Sequence, residues 1–235
     1  RGLPPGWLCD PADPYCQSLS GTDYHYAETD MWSGVATLLP YVDQQPLASS
    51  IDFRYAPGHF VNLTAISSSI EVFVCPANHS SAAPVPVHAQ PGDPSSPILM
   101  YLGVSDYRFS MAGSSNDPND PRYGIFDNGI AYRNSATPLG SSGIPDGDSS
   151  TLLLGESLQG WWALAPGCCV RTVDGWSINF IPRVGSETYW ASKHGRGSMF
   201  ALADTSTRFI AETIDRRVFV ALATRNGGEI VPADY

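Results

Sequence analysis

Apolar positions in this chain gather in short runs. From Met31 to Leu47, Trp32, Val35, Leu38, Leu39 and Val42 recur at helical spacing, and Pro40 interrupts them. That pattern predicts a short helix or two broken turns. Another short helix is expected across residues 62–70, leading into Glu71-Val-Phe-Val-Cys75, which reads as a buried strand. Ile98 to Gly103 reads as a strand, Thr151 to Glu156 as a central one, and Trp161 to Ala165 as a continuation of the sheet. Ser198 to Ala203 and Thr207 to Ile210 flank Asp204-Thr-Ser206 as the arms of a hairpin. Between Ile214 and Arg225, Val218, Phe219, Ala221 and Leu222 share one face. Asp215 near its start, Arg225 at its end and Gly227-Gly228 beyond complete a helix prediction.

Polar and proline-rich stretches separate these runs. Residues 1–30 lack periodicity and read as an ordered loop, residues 76–97 and 114–122 as surface loops, and residues 144–150 as a turn. Ile125-Phe126 resumes apolar pairing, and no internal repeat is present. The sum predicts an α+β fold: a β-rich single domain over residues 1–235 with an antiparallel sheet, short helices and long ordered loops.

Composition narrows the function. The 235 residues are 43% hydrophobic and 15% charged, with 22 Gly and 20 Pro, which suits short strands joined by loops. A net charge of −10 argues against nucleic acid and anionic membranes, because 13 basic residues scattered among 23 acidic ones make no phosphate-binding stripe. No run approaches the ~20 apolar residues of a membrane-spanning helix. The opening Arg1-Gly-Leu-Pro-Pro-Gly6 is no signal peptide, and the chain starts as a processed or truncated product would. Cys9, Cys16, Cys75, Cys168 and Cys169 match no zinc or redox spacing. Disulfides in an oxidising compartment are the simpler reading, against inert buried thiols; Cys9 could close a loop with Cys16, and Cys75 could reach the 168/169 pair.

Several blocks together resemble the bacterial prepilin-like, or pseudopilin-like, family of secreted proteins. Gly2-Leu-Pro-Pro-Gly6 is similar to the segment after that family's N-terminal helix, and Thr37-Leu-Leu-Pro-Tyr-Val-Asp-Gln44 to its LLPYLEQ stretch. Ile70 to Pro76 resembles its strand ending in Cys-Pro, and Ile144 to Glu156, with Asp146, Gly147 and Glu156, resembles ITDGTSNTLLVGE. His194, nine residues and then Asp204 resembles the family's C-terminal His-x9-Asp-Gly signature, with Thr205 in place of the glycine. Leu222 to Glu229, with Gly227 and Gly228, resembles LATRAGGE. The resemblance implies a missing front end: a prepilin cleavage site and a long apolar helix, which would be the chain's only link to a membrane. It also implies a pilin-like sheet with an apolar strip exposed where that helix would lie, and a bacterial protein placed in the periplasm, on the cell surface or outside the cell.

Candidate chemistry is sparse. His194 and Asp204 could bind a metal or orient each other, or else support a loop and cap a turn. Asp117, Asn119 and Asp120 have the composition of a calcium loop, as do Asp146 and Asp148, but lack an EF-hand pattern; Pro118 and Pro121 suggest Asx turns. Calcium is the one cofactor considered, and otherwise none is expected. No G-x-S-x-G elbow or constrained carboxylate pair points to catalysis, since Glu156 and Glu212 have no fixed relation to Asp146. Trp161, Trp162, Trp176, Tyr189 and Trp190 could line a sugar-binding surface, or fill a core. The expected function is therefore a non-catalytic structural subunit that assembles with copies of itself or within a larger complex. An accessory subunit on such a complex, and a secreted carbohydrate-binding or hydrolytic module, are the alternatives.

Overall fold

The computed structural model describes residues 2–10, 31–78, 82–90, 93–115, 117–125, 127–158, 160–173, 178–179, 189–232 and 235. Near the N-terminus β1 (Trp7–Leu8) pairs antiparallel with β2 (Trp32–Ser33). Ser33 then caps a 3-10 helix over Gly34–Tyr41, its hydroxyl accepting from the Val35 N–H at 3.1 Å. Pro40 lies inside this helix, and α1 (Gln45–Ser50) follows with a proline in its first turn. The expected pair of broken turns is present. Short α2 (Leu63–Ile66) buries Ala65 and Ile66.

Residues 71–75 are not the expected strand. Glu71–Phe73 makes a 3-10 turn that exposes Glu71 and Val72 while burying Phe73 and Cys75. Nor are residues 76–97 wholly surface loop, because they contain β3 (Val85–His88), which pairs antiparallel with β4 (Ile98–Leu102). This is a two-stranded ribbon, so every strand in it is an edge and Pro86 forfeits little by lacking an N–H.

Five further strands form the central sheet: β5 (Tyr107–Ser114), β6 (Leu152–Glu156), β7 (Cys169–Val173), β8 (Gly197–Leu202) and β9 (Thr207–Ala211). Their order is β7-β5-β6-β8-β9. The sheet is mixed and not purely antiparallel, since β5 and β7 run parallel. Trp161 to Ala165 does not extend it as a strand; single bridges join Val104 to Trp161 and Trp32 to Leu164 before a 3-10 turn at Ala165–Gly167. Ile125 joins no strand, and Phe126 lies outside the described residues.

From Arg108 to Ser114 every residue of β5 is buried, so both faces of this strand are covered. One apolar cluster joins Phe109, Met111 and Trp162 to the N-terminal turns through Trp32, Val35 and Leu39. A second joins Leu152, Val170, Phe200 and Leu202 to α3 (Arg216–Leu222). Asp215 caps α3 by accepting from the Arg217 and Val218 N–H groups, and Phe219 meets Phe200 edge-on at 5.7 Å. The helix sits so close to β5 that a Cβ on Gly113 would lie 2.5 Å from the Val220 carbonyl oxygen.

Candidate functional site

Polar groups converge at the end of β5 and β6. Tyr107 and Glu156 are directly opposed in the β5–β6 register and therefore project from the same face. The preceding turn approaches them: the Phe73 carbonyl accepts from the Asp106 N–H, and Asp106 Oδ2 accepts from the Cys75 N–H, both at 2.8 Å. From the third side comes the loop before β8. Ser192 Oγ accepts from the His194 N–H at 3.1 Å, and Asn78 Oδ1 accepts from the Lys193 N–H at 2.9 Å, which ties this loop to the turn carrying Cys75.

The three segments bring Cys75, Glu156 and His194 together. His194 Nε2 lies 3.4 Å from Cys75 Sγ and 3.2 Å from Glu156 Oε1. The other carboxylate oxygen, Oε2, accepts from the Met199 N–H at 2.8 Å, which fixes the carboxylate plane. Cys75 and Glu156 are buried, whereas the His194 side chain is 39% exposed, so the cluster opens to solvent on the imidazole side. Burial pushes the Cys75 thiol up, and its hydrogen bond to Glu156 pushes it further; the Ala77 and Asn78 N–H groups, bonded to the sulfur, pull the other way. Tyr107 is pushed up to about 12 by burial and by the acidic groups of Cys75, Glu156 and Asp106, and its hydroxyl hydrogen-bonds the Cys75 sulfur. A buried thiol with a raised pKa is the reverse of an activated nucleophile.

Other expected site residues lie elsewhere. Asp204 is at the far end of β8 from His194, in the β8–β9 turn, so the two are not brought together. Its carboxylate accepts from the Ser206 N–H and hydroxyl, and Ser206 thereby holds it below the usual carboxylate range. Asp146 clamps the C-terminal block: its two oxygens accept from the Gly227 N–H at 2.7 Å and the Gly228 N–H at 2.9 Å. Gly147 and Gly228 both take positive φ, 98° and 73°, where glycine is the favoured residue.

The acidic loop forms the Asx turns its prolines suggest. Asp117 Oδ1 accepts from the Asn119 N–H, and Asp120 takes a fork of N–H groups from Arg122, which holds its carboxyl down at about 2. These oxygens face their own loop. Trp162 and Trp190 are buried, donating to the Ser68 carbonyl and the Thr172 hydroxyl, and Tyr189 is buried with them. Trp161 is half-buried and Trp176 lies outside the described residues. Trp162, Tyr189 and Trp190 therefore belong to the core, and Trp161 packs against it.

The cysteine pairing also differs from expectation. Cys168 and Cys169 bond to each other as a vicinal disulfide, which leaves Cys75 a free buried thiol instead of their partner. Cys9 is disulfide-bonded, and Cys16 lies outside the described residues. No single spacing marks the Cys75–Glu156–His194 cluster, because Cys75 and His194 are 119 positions apart.

Residues 1–162 of the chain match the family described as "Protein of unknown function (DUF1559)", and the chain belongs to that family. The match includes Cys75 and Glu156 and ends before His194 and Asp204. No curated protein and no solved structure matches the chain.

Proposed function

We propose that this member of the DUF1559 family is a non-catalytic, pilin-like structural subunit that acts in protein assembly outside the cytoplasmic membrane. Family membership over residues 1–162 supports this reading, as does the acidic charge, which disfavours nucleic acid and anionic membrane as partners. The observation that carries it is a set of large apolar side chains left facing solvent on two neighbouring segments. Phe53, Tyr55, Phe60 and Val61 are exposed on the loop before α2, with Phe60 at 76%. Leu99 and Tyr101 are exposed on β4, with Leu99 at 60%. The segments adjoin through Met100, whose Cε would lie 3.5 Å from a Cβ on Gly58, while Tyr101, next in the strand, leaves the opposite face of β4. Lone apolar residues on a surface need no explanation, but neighbouring groups of this size fit a surface that another chain covers.

The test uses the complete gene product in its own cells. Fractionation, native electrophoresis and N-terminal sequencing should find it in the envelope or medium, processed after a short leader and held with other subunits. A cytoplasmic monomer would overturn the reading. So would glycan binding that is abolished in Trp161→Ala.

A further inference from the structure

We propose that Cys75, Glu156 and His194 form a binding site for one zinc-class divalent metal ion, with water as the fourth ligand. The inference rests on this cluster and is independent of the assembly role.

Geometry is the first argument. The three donor atoms all lie within 4.8 Å of one another, and they form the only such group of His, Cys, Asp or Glu among the described residues. Zinc bonds of about 2.3 Å to sulfur, 2.05 Å to nitrogen and 2.1 Å to oxygen, at tetrahedral angles, place sulfur and nitrogen about 3.6 Å apart and nitrogen and oxygen about 3.4 Å apart. The observed separations are 3.4 Å and 3.2 Å. For these two pairs, a metal ion asks for donor movements of only tenths of an ångström.

The donor set is the second. Thiolate, imidazole and carboxylate together suit zinc and its transition-metal neighbours, while calcium and magnesium call for oxygen alone. Charge is the third. A divalent cation that displaces the thiol proton leaves thiolate and carboxylate side by side, and its two positive charges cancel their two negative ones.

The surrounding bonds give the fourth argument, since outer partners orient metal ligands. Glu156 presents Oε1 because the Met199 N–H holds Oε2. Backbone N–H groups of Ala77 and Asn78 and the Tyr107 hydroxyl all hydrogen-bond the Cys75 sulfur, a set of donors suited to a thiolate. The His194 loop is held to Asn78, three residues past Cys75, so the metal would staple segments already in register. The exposed side of His194 leaves room for the water ligand.

The test uses the whole 235-residue chain, stripped with chelator under oxygen-free conditions without thiol reductant so that the Cys168–Cys169 disulfide stays closed, and titrated with Co(II) and Zn(II). One equivalent of Co(II) should bind, with tetrahedral visible bands and a sulfur-to-cobalt charge-transfer band in the near ultraviolet. Zn(II) should displace it and raise the melting temperature. Cys75→Ser should remove the charge-transfer band, and His194→Ala should weaken Zn(II) affinity at least a hundredfold. Because Cys75 is buried and its variant could misfold, far-ultraviolet circular dichroism accompanies each titration, and the more exposed His194 supplies the second variant. No stoichiometric binding, a cobalt spectrum without the thiolate band, or affinity unchanged in a folded His194→Ala would each overturn the proposal.

Discussion

In the hairpin between β8 and β9, the Leu202 carbonyl accepts from the Thr205 N–H at 3.0 Å, and the Ser206 carbonyl accepts from the Leu202 N–H at 2.8 Å. This is a three-residue connection whose last position must take left-handed backbone, and Thr205 takes it at φ 70°. A left-handed conformation costs an ordinary residue roughly 1–2 kcal/mol, and a β-branched side chain tolerates it poorly. Glycine relieves that strain and gives back ~0.5–1 kcal/mol through the freer unfolded chain. Thr205 is exposed, so its side chain contributes no burial, and Thr205→Gly should stabilise the fold by about 1 kcal/mol. For a chain of this length that is a rise of about 2–4 °C in melting temperature. Differential scanning calorimetry of Thr205→Gly beside Thr205→Ala measures it. Alanine keeps the Cβ and should change little. A glycine variant that melts at or below the parent temperature, or an alanine variant that gains as much, would refute the reasoning.

Asp146→Ala should remove the acceptor of two backbone N–H groups and cost about 1–2 kcal/mol, less than buried charged hydrogen bonds because these are solvent-exposed. Hydrogen exchange should then speed up at Gly227 and Gly228 and stay unchanged in β5. With chelator present, Cys75 should resist iodoacetamide in the folded chain and react once it is unfolded, whereas the peptide containing Cys168 and Cys169 should take label only after reduction, as peptide mass spectrometry would show. Asp120 should titrate near 2 in a carboxyl NMR titration, and Arg122→Gln should return it toward its ordinary 3.8. Because the folded-state pKa is the lower one, this pair favours the fold above about pH 3.8, and its contribution is lost as pH falls through 2.

Where local chemistry decides an element, the sequence announced it. Asp215 and the apolar face behind it marked α3, the run after Thr151 marked β6, and Asp204 with Ser206 marked the hairpin turn. β5 is hidden in the sequence, because a strand covered on both faces need not alternate, and Arg108, Ser110, Gly113 and Ser114 dilute its apolar character. β7 carries no strand signal either, because the cysteine pair at its start points to a disulfide and to no particular element. Pro86 and its proline neighbours concealed β3, whose edge position makes proline harmless. Of the cluster, Glu156 and His194 were visible as family-like positions and Cys75 as a cysteine. Their meeting depends on a turn, a strand and a loop far apart in sequence, which no spacing rule encodes.

The assembly role is tested most directly by photo-crosslinking in living cells, with a photoreactive amino acid placed in turn at Phe60, Leu99 and, as a control, the exposed Arg217 of α3. The account predicts discrete crosslinks from Phe60 and Leu99 to a defined protein subunit and none from Arg217. Equal or absent crosslinking at all three positions would contradict it.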